Sequence, residues 1–161
     1  MATEKLKFKI ELFSTHWDKL PTAEIKISDK TYFPATGIDG TEKNPTLIEF
    51  EAEFEEDKEY DFTIVRGNKE KGQTVVNEKG DIIKDQLLHI KSIEIDEIQL
   101  GNLIYQATYT PEYPEPWATQ QRESGKTLQE SWKNVDNMGH NGEWKISFTS
   151  PFYMWLLENL Y

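Results

Sequence analysis

The 161-residue chain contains no cysteine. That excludes a disulfide framework, a thiolate zinc site and a cysteine nucleophile, and it leaves the redox compartment undetermined. Long hydrophobic runs are also missing: Met1 to Lys9 has no apolar core of the kind an export signal carries, and no later run is long enough to span a membrane. The expectation is a soluble chain with no visible signal peptide, made in the cytoplasm or part of a virion, with no membrane partner. Basic residues are scarce as well, with 18 Lys and Arg against 29 Asp and Glu, a formal charge of -11. Such a chain repels phosphate backbones, and no stretch gathers the cations needed to release counterions, so nucleic acid is not an expected partner.

Recognisable catalytic motifs are lacking too. Gly125-Lys126-Thr127 resembles the end of a phosphate-binding loop, but Gln120 stands where that loop needs glycine. His16, His89 and His140 are too far apart in sequence for two imidazoles to share one element around zinc. Ser14-Thr15-His16-Trp17-Asp18 holds the residue types of a nucleophilic triad, yet such triads are assembled by tertiary geometry, and the reading here is a polar loop. Carboxylates are too numerous for any pair to be singled out. The chain is expected not to be an enzyme.

What is present is period-two patterning. Leu6, Phe8, Ile10 and Leu12 alternate with Lys7, Lys9 and Glu11, and Ile48, Phe50, Ala52 and Phe54 alternate with Glu49, Glu51, Glu53 and Glu55. Each set marks a strand with one face on a core and the other in water. Shorter alternating runs at 24–28 and 60–66, separated by Gly- and Asn-bearing turns at 37–40 and 66–69, extend the antiparallel pattern. From Leu88 the alternation slips twice, which predicts a bulge near Lys91-Ser92 and a tight turn or second bulge at Asp96-Glu97. Trp144, Ile146 and Phe148 define a further strand. Thr127-Leu128-Gln129-Glu130 has capping-box spacing, which predicts a short helix carrying Leu128, Trp132 and Val135 on one stripe. Ser150-Pro151 predicts the start of a second helix through Phe152, Trp155, Leu156 and Leu160. The expectation is a mainly β chain: one antiparallel, jelly-roll-like β-sandwich over 1–161, with one or two short helices in the C-terminal third and an aromatic extension at about 117–161.

The candidate binding residues are aromatic. Pro111, Pro114 and Pro116 each fix their own φ and restrict the residue before them, so Tyr113 and Trp117 have little freedom to lose on binding. Tyr109, Tyr113, Trp117 and Trp132 form a sugar-stacking face in one reading, with neighbouring Glu, Gln and Asn taking the hydroxyls. In the other they cover the open end of the sandwich as core. Trp132 and Trp144 lie on periodic stripes and fit the core reading better, whereas Tyr113 and Trp117 sit in a polar loop. For hard cations, Asp81, Asp85, Asp96 and the Asp136-Asn137 loop are oxygen donors near expected strand ends. No cofactor is required; calcium is the one ion this donor set would suit.

The stretch Asp85-Gln86-Leu87-Leu88-His89-Ile90-Lys91-Ser92-Ile93-Glu94-Ile95-Asp96 resembles the late strand pair of calcium-dependent, xylan-binding-type carbohydrate-binding modules, in which an Asp-x-x-Leu-x-Ile-x-x-Ile rhythm leads into a short turn. The likeness extends to the acidic lead Glu55-Glu56-Asp57-Lys58-Glu59-Tyr60-Asp61-Phe62. Glu97 departs from it, standing where such turns usually carry glycine. The resemblance implies a β-sandwich that binds polysaccharide without transforming it, supported by calcium at Asp81, Asp85 or Asp96. Such sandwiches also occur in bacteriophage structural proteins. The competing reading is therefore an assembly protein whose Phe152, Trp155, Leu156 and Leu160 dock a neighbouring subunit, as a homo-oligomer or in a virion.

Overall fold

The computed structural model describes residues 2–69 and 73–160, with Leu160 described for its backbone alone. The elements in chain order are β1 (Thr3–Thr15), β2 (Thr22–Ile27), β3 (Lys30–Gly37), β4 (Thr46–Glu55), β5 (Glu59–Gly67), β6 (Val75–Val76), β7 (Ile82–Lys84), β8 (Leu87–Ile95) and β9 (Ile98–Gln99). They continue with a 3-10 turn (Gly101–Gln106), β10 (Thr108–Pro111), α1 (Trp117–Glu123), β11 (Asn137–Met138), β12 (Gly142–Thr149) and α2 (Phe152–Leu160). One sheet runs β11-β8-β1-β4, with β9 folded back on β8; the other runs β10-β12-β5-β2-β3, and all pairings are antiparallel. The protein is a mainly β, two-sheet antiparallel sandwich with two short helices in its C-terminal third.

The period-two residues do what their spacing dictates. Leu6, Phe8, Ile10 and Leu12 from β1, and Ile48, Ala52 and Phe54 from β4, are buried between the sheets, while Lys5, Lys7, Glu49, Glu51 and Glu53 of the same strands face water. Fully burying one such side chain stabilises the fold by roughly 1.5–3 kcal/mol. Phe8 is the hinge of the packing: it stacks on Phe50 at 4.8 Å within its own sheet and on Phe62 of the opposite sheet at 5.9 Å. Phe62 in turn meets the fully buried Trp144 edge-on at 6.3 Å.

The expected slips in β8 are present. Glu11 pairs with Ser92 and Leu12 with Ile90, so Lys91 is the extra residue that lets Ile90 and Ile93 both face inward. Asp96 (φ 52°) and Glu97 (φ 69°) then form the tight left-handed turn into β9.

The expected helix over 127–135 is absent. The helix of this region is α1, which starts directly after Pro116, where a residue without an N–H costs nothing. Beyond it, the Trp132 N–H donates to the Tyr109 carbonyl at 2.8 Å and the Tyr109 N–H donates to the Trp132 carbonyl at 2.9 Å. Asn134 also takes a left-handed conformation, φ 60°. Tertiary pairing with a sheet edge overrides the local capping signal here.

The second helix, α2, forms as expected, but its apolar stripe faces inward. Phe152 is fully buried, and Trp155 and Leu156 are nearly so, packed with Phe148 over Phe62, Ile93, Ile95 and Leu100. These residues close the core of their own chain, which corrects the expectation that they dock a neighbour. The side chain of Leu160, named with them, lies outside the described residues. No helix is long and apolar enough to cross a membrane among the described residues.

Candidate functional site

One end of the sandwich gathers the segments that carry unusual side chains. Thr15 faces Leu87, Thr22 faces Gly67, and Gly142 faces both Arg66 and Pro111, so the loops after β1, β5 and β10, and those before β8 and β12, all emerge together. Arg66 fastens the two sheets there. Its side chain is buried, with Nη2 donating to the Gln86 carbonyl at 2.7 Å and Nη1 to Asn141 Oδ1 at 2.9 Å, while Nε has no partner. Burial lowers the guanidinium to about 10, against the attraction of Tyr109 and Asp85.

Lys69 lies beside it. Its Nζ meets Asp85 Oδ1 at 3.2 Å and donates to the Gly139 carbonyl. Burial pushes the Asp85 carboxyl up, but hydrogen bonds from Thr74 Oγ1 at 2.6 Å and the Gln86 N–H at 2.8 Å, together with the Lys69 charge, hold it below the ordinary carboxylate value. Lys69 is itself lowered, because burial and the nearby Arg66 outweigh Asp85. Three donors on one Asp85 oxygen, the Lys69 ammonium among them, make this a charge-assisted contact.

Above this polar base sit the rings. Tyr113 and Trp117 have centroids 6.1 Å apart, and His140 packs against both, at 5.1 Å from Tyr113 and 5.8 Å from Trp117. Tyr113 is half-buried and fixed by its hydroxyl, which donates to the Gln129 carbonyl at 2.5 Å and accepts from Trp132 Nε1 at 3.3 Å. Trp117 is 39% and Trp132 42% exposed, so Trp132 is not a core residue and both rings offer surface to solvent. Tyr109 is different: at 4% exposed it is core, with its hydroxyl donating to the His140 carbonyl and accepting the His140 N–H. Its ring has no face to offer a ligand. Burial raises its hydroxyl to about 12, so it stays a donor, and it positions His140.

His140 carries no sequence signal, being one polar residue in the Gly139–Gly142 connection. Its Nδ1 is buried without a partner, and burial, then Lys69 and Arg66, lower its imidazole. Alongside Tyr113 runs an open groove of about 410 Å³, lined by Thr110, Pro111, Glu115, Ala118, Arg122, Leu128 and Glu130. It offers carboxylate, hydroxyl and guanidinium groups beside an aromatic wall.

The cation ligands proposed from sequence do not converge. Asp85 is committed to Lys69, Thr74 and Gln86. Asp96 accepts the Lys7 N–H at 3.0 Å and the Tyr153 hydroxyl at 3.1 Å. Asp81 closes the hairpin from β6 to β7, where its carbonyl takes the Asn77 N–H at 2.9 Å. Asp136 accepts from Tyr105, and among the described residues no three His, Asp or Glu side chains form a metal-holding group. These acids do not fit a shared calcium site. The Ser14–His16 pair does form, at 2.9 Å, but the Ser14 hydroxyl donates to the Ile38 carbonyl at 2.6 Å, while Asp18 takes Gln73 at 3.4 Å. A hydroxyl whose proton points at a carbonyl has no base to activate it.

No family model matches this chain, and no curated protein matches it. Among solved structures it is similar to vCBM60 in a selenomethionine form, described in a study linking two families of calcium-dependent carbohydrate binding modules by circular permutation. Identity is 7% and the TM-score 0.49, over 87% of this chain and 88% of that one. It is also similar to vCBM60 in complex with galactobiose, at 7% identity and a TM-score of 0.48, over 86% of this chain and 95% of that one.

Proposed function

We propose that the chain is a non-catalytic glycan-binding domain. Tyr113 and Trp117, with His140 packed against both, stack on pyranose rings, the Trp132 edge flanks them, and Glu115, Arg122 and Glu130 take the hydroxyls. The observation that carries this reading is the convergence of three rings, two from a proline-stiffened loop, beside a groove with mixed hydrogen-bonding groups. Aromatic faces match the C–H faces of sugars, while short polar side chains set orientation. Binding is calcium-independent in this reading, because Asp85 and Asp96 accept from the chain's own donors and, among the described residues, no three acids converge.

Affinity electrophoresis through soluble polysaccharides, with and without chelator, tests it. Trp117→Ala is expected to weaken retention about five- to tenfold, the worth of roughly 1 kcal/mol of stacking, and chelator to leave retention unchanged. Equal retention of Trp117→Ala and the unaltered protein on every polysaccharide would remove the proposal.

A further inference from the structure

A second aromatic surface stands at the same end of the sandwich. Trp17, in the loop that follows β1, is 43% exposed. Its orientation is nevertheless fixed: Nε1 donates to the Gln73 carbonyl at 2.8 Å, and the Lys84 ammonium lies 4.7 Å from the ring centroid. An indole whose N–H is satisfied by main chain keeps its position, and with the ammonium over one face of the ring the opposite face is the one a ligand would stack on.

Trp17 is joined to the Tyr113–Trp117 cluster by continuous hydrogen bonding. Gln73, which holds the indole through its carbonyl, accepts from Gln86 Nε2 at 3.2 Å, and Gln86 accepts from Arg66 through its own carbonyl. Arg66 holds Asn141, next in the chain to His140, whose ring packs on Trp117. Gln73, Gln86 and Arg66 are all buried. The two ring surfaces are therefore outcrops of one rigid base.

We propose that Trp17 is a second stacking subsite through the ring face opposite Lys84, and that this end of the molecule takes the interior of an extended polysaccharide chain. The inference rests on the glycan-binding reading and deepens it by naming the ligand as a polymer rather than a terminal sugar. A chain touching both surfaces gains from two stacking contacts whose geometry is already set, so affinity rises with length until both are filled.

The test uses the whole chain and a panel of soluble xylan, galactan and glucomannan in affinity gels, with the disaccharide of each retained polymer as competitor. Trp17→Ala is expected to weaken retention on the polymer about fivefold while leaving competition by the disaccharide unchanged. Trp17→Phe keeps a ring face but loses the Nε1 bond, and is expected to restore most of the retention, which separates stacking from a folding defect. Polymer retention by Trp17→Ala equal to that of the unaltered protein, with Trp117→Ala impaired, overturns the second subsite and leaves the glycan-binding reading standing. Loss in Trp17→Ala with none in Trp117→Ala overturns that reading and keeps Trp17 as the platform. No retention of the unaltered protein on any polymer overturns both.

Discussion

A methyl group on Gly142 would sit 2.3 Å from the Thr110 carbonyl oxygen and 2.8 Å from Pro111 Cα. Those atoms root the loop that carries Tyr113 and Trp117, so the hydrogen at Gly142 is what lets β10 lie close to β12. Gly142→Ala must push the two strands apart, and overpacking of this kind costs about 1–3 kcal/mol. Thermal unfolding is expected to shift down by several degrees, with weakened polysaccharide retention in the folded fraction. Unchanged melting and retention would show that the β10–β12 contact does not set the loop. Residue-scale chemistry of this sort was only partly legible: the prolines marked the loop, but nothing local announces that Arg66 is buried or that His140 stacks.

At the scale of elements, α2 depends on a residue distant in sequence. Ser150 was the expected cap, yet its hydroxyl donates to the Glu4 carboxylate, and the same Glu4 oxygen accepts the Phe152 N–H at 2.7 Å. The carboxylate at the start of this helix thus comes from β1, where it meets the unpaired N–H groups and the positive end of the helix dipole. Glu4→Ala is expected to destabilise the protein by about 1 kcal/mol, read as a lower urea midpoint, and Glu4→Gln to recover part of it through the retained oxygen. Strand β3 shows the opposite side of legibility. Tyr32 and Phe33 are adjacent and both half-buried, and most of the remaining residues are exposed, so an edge strand with Pro34 inside it leaves no alternation to find. Strands β1, β4, β8 and β12 were visible because one face of each is buried and the other wet.

Two half-buried histidines, His89 and His140, tie the stability of the molecule to pH. Burial pushes His89 below its ordinary value, against the pull of Asp136 and Glu42, and burial with Lys69 and Arg66 does the same to His140. The unfolded chain therefore takes protons first. The stability these two neutral rings contribute is complete above the unfolded value of about 6.5 and is lost as pH falls through the lowered folded values. Urea midpoints are expected to drop between about pH 7.5 and 5, with a shallower drop in His140→Phe. A flat profile over that range would contradict the burial of both imidazoles. Fold class was readable from alternating strands at this scale; the grouping of distant loops at one end was not, because it follows from which strands neighbour one another across β1, β5 and β12.

The contact of Glu4 with Ser150 and Phe152 lies beyond the far end of the strands from Trp17, Tyr113 and Trp117. A molecule anchored to a bead or sensor chip near Glu4 holds its rings outward, whereas one attached through the 75–84 hairpin lies face down. Immobilisation chemistry aimed at those two places gives the same protein opposite accessibility.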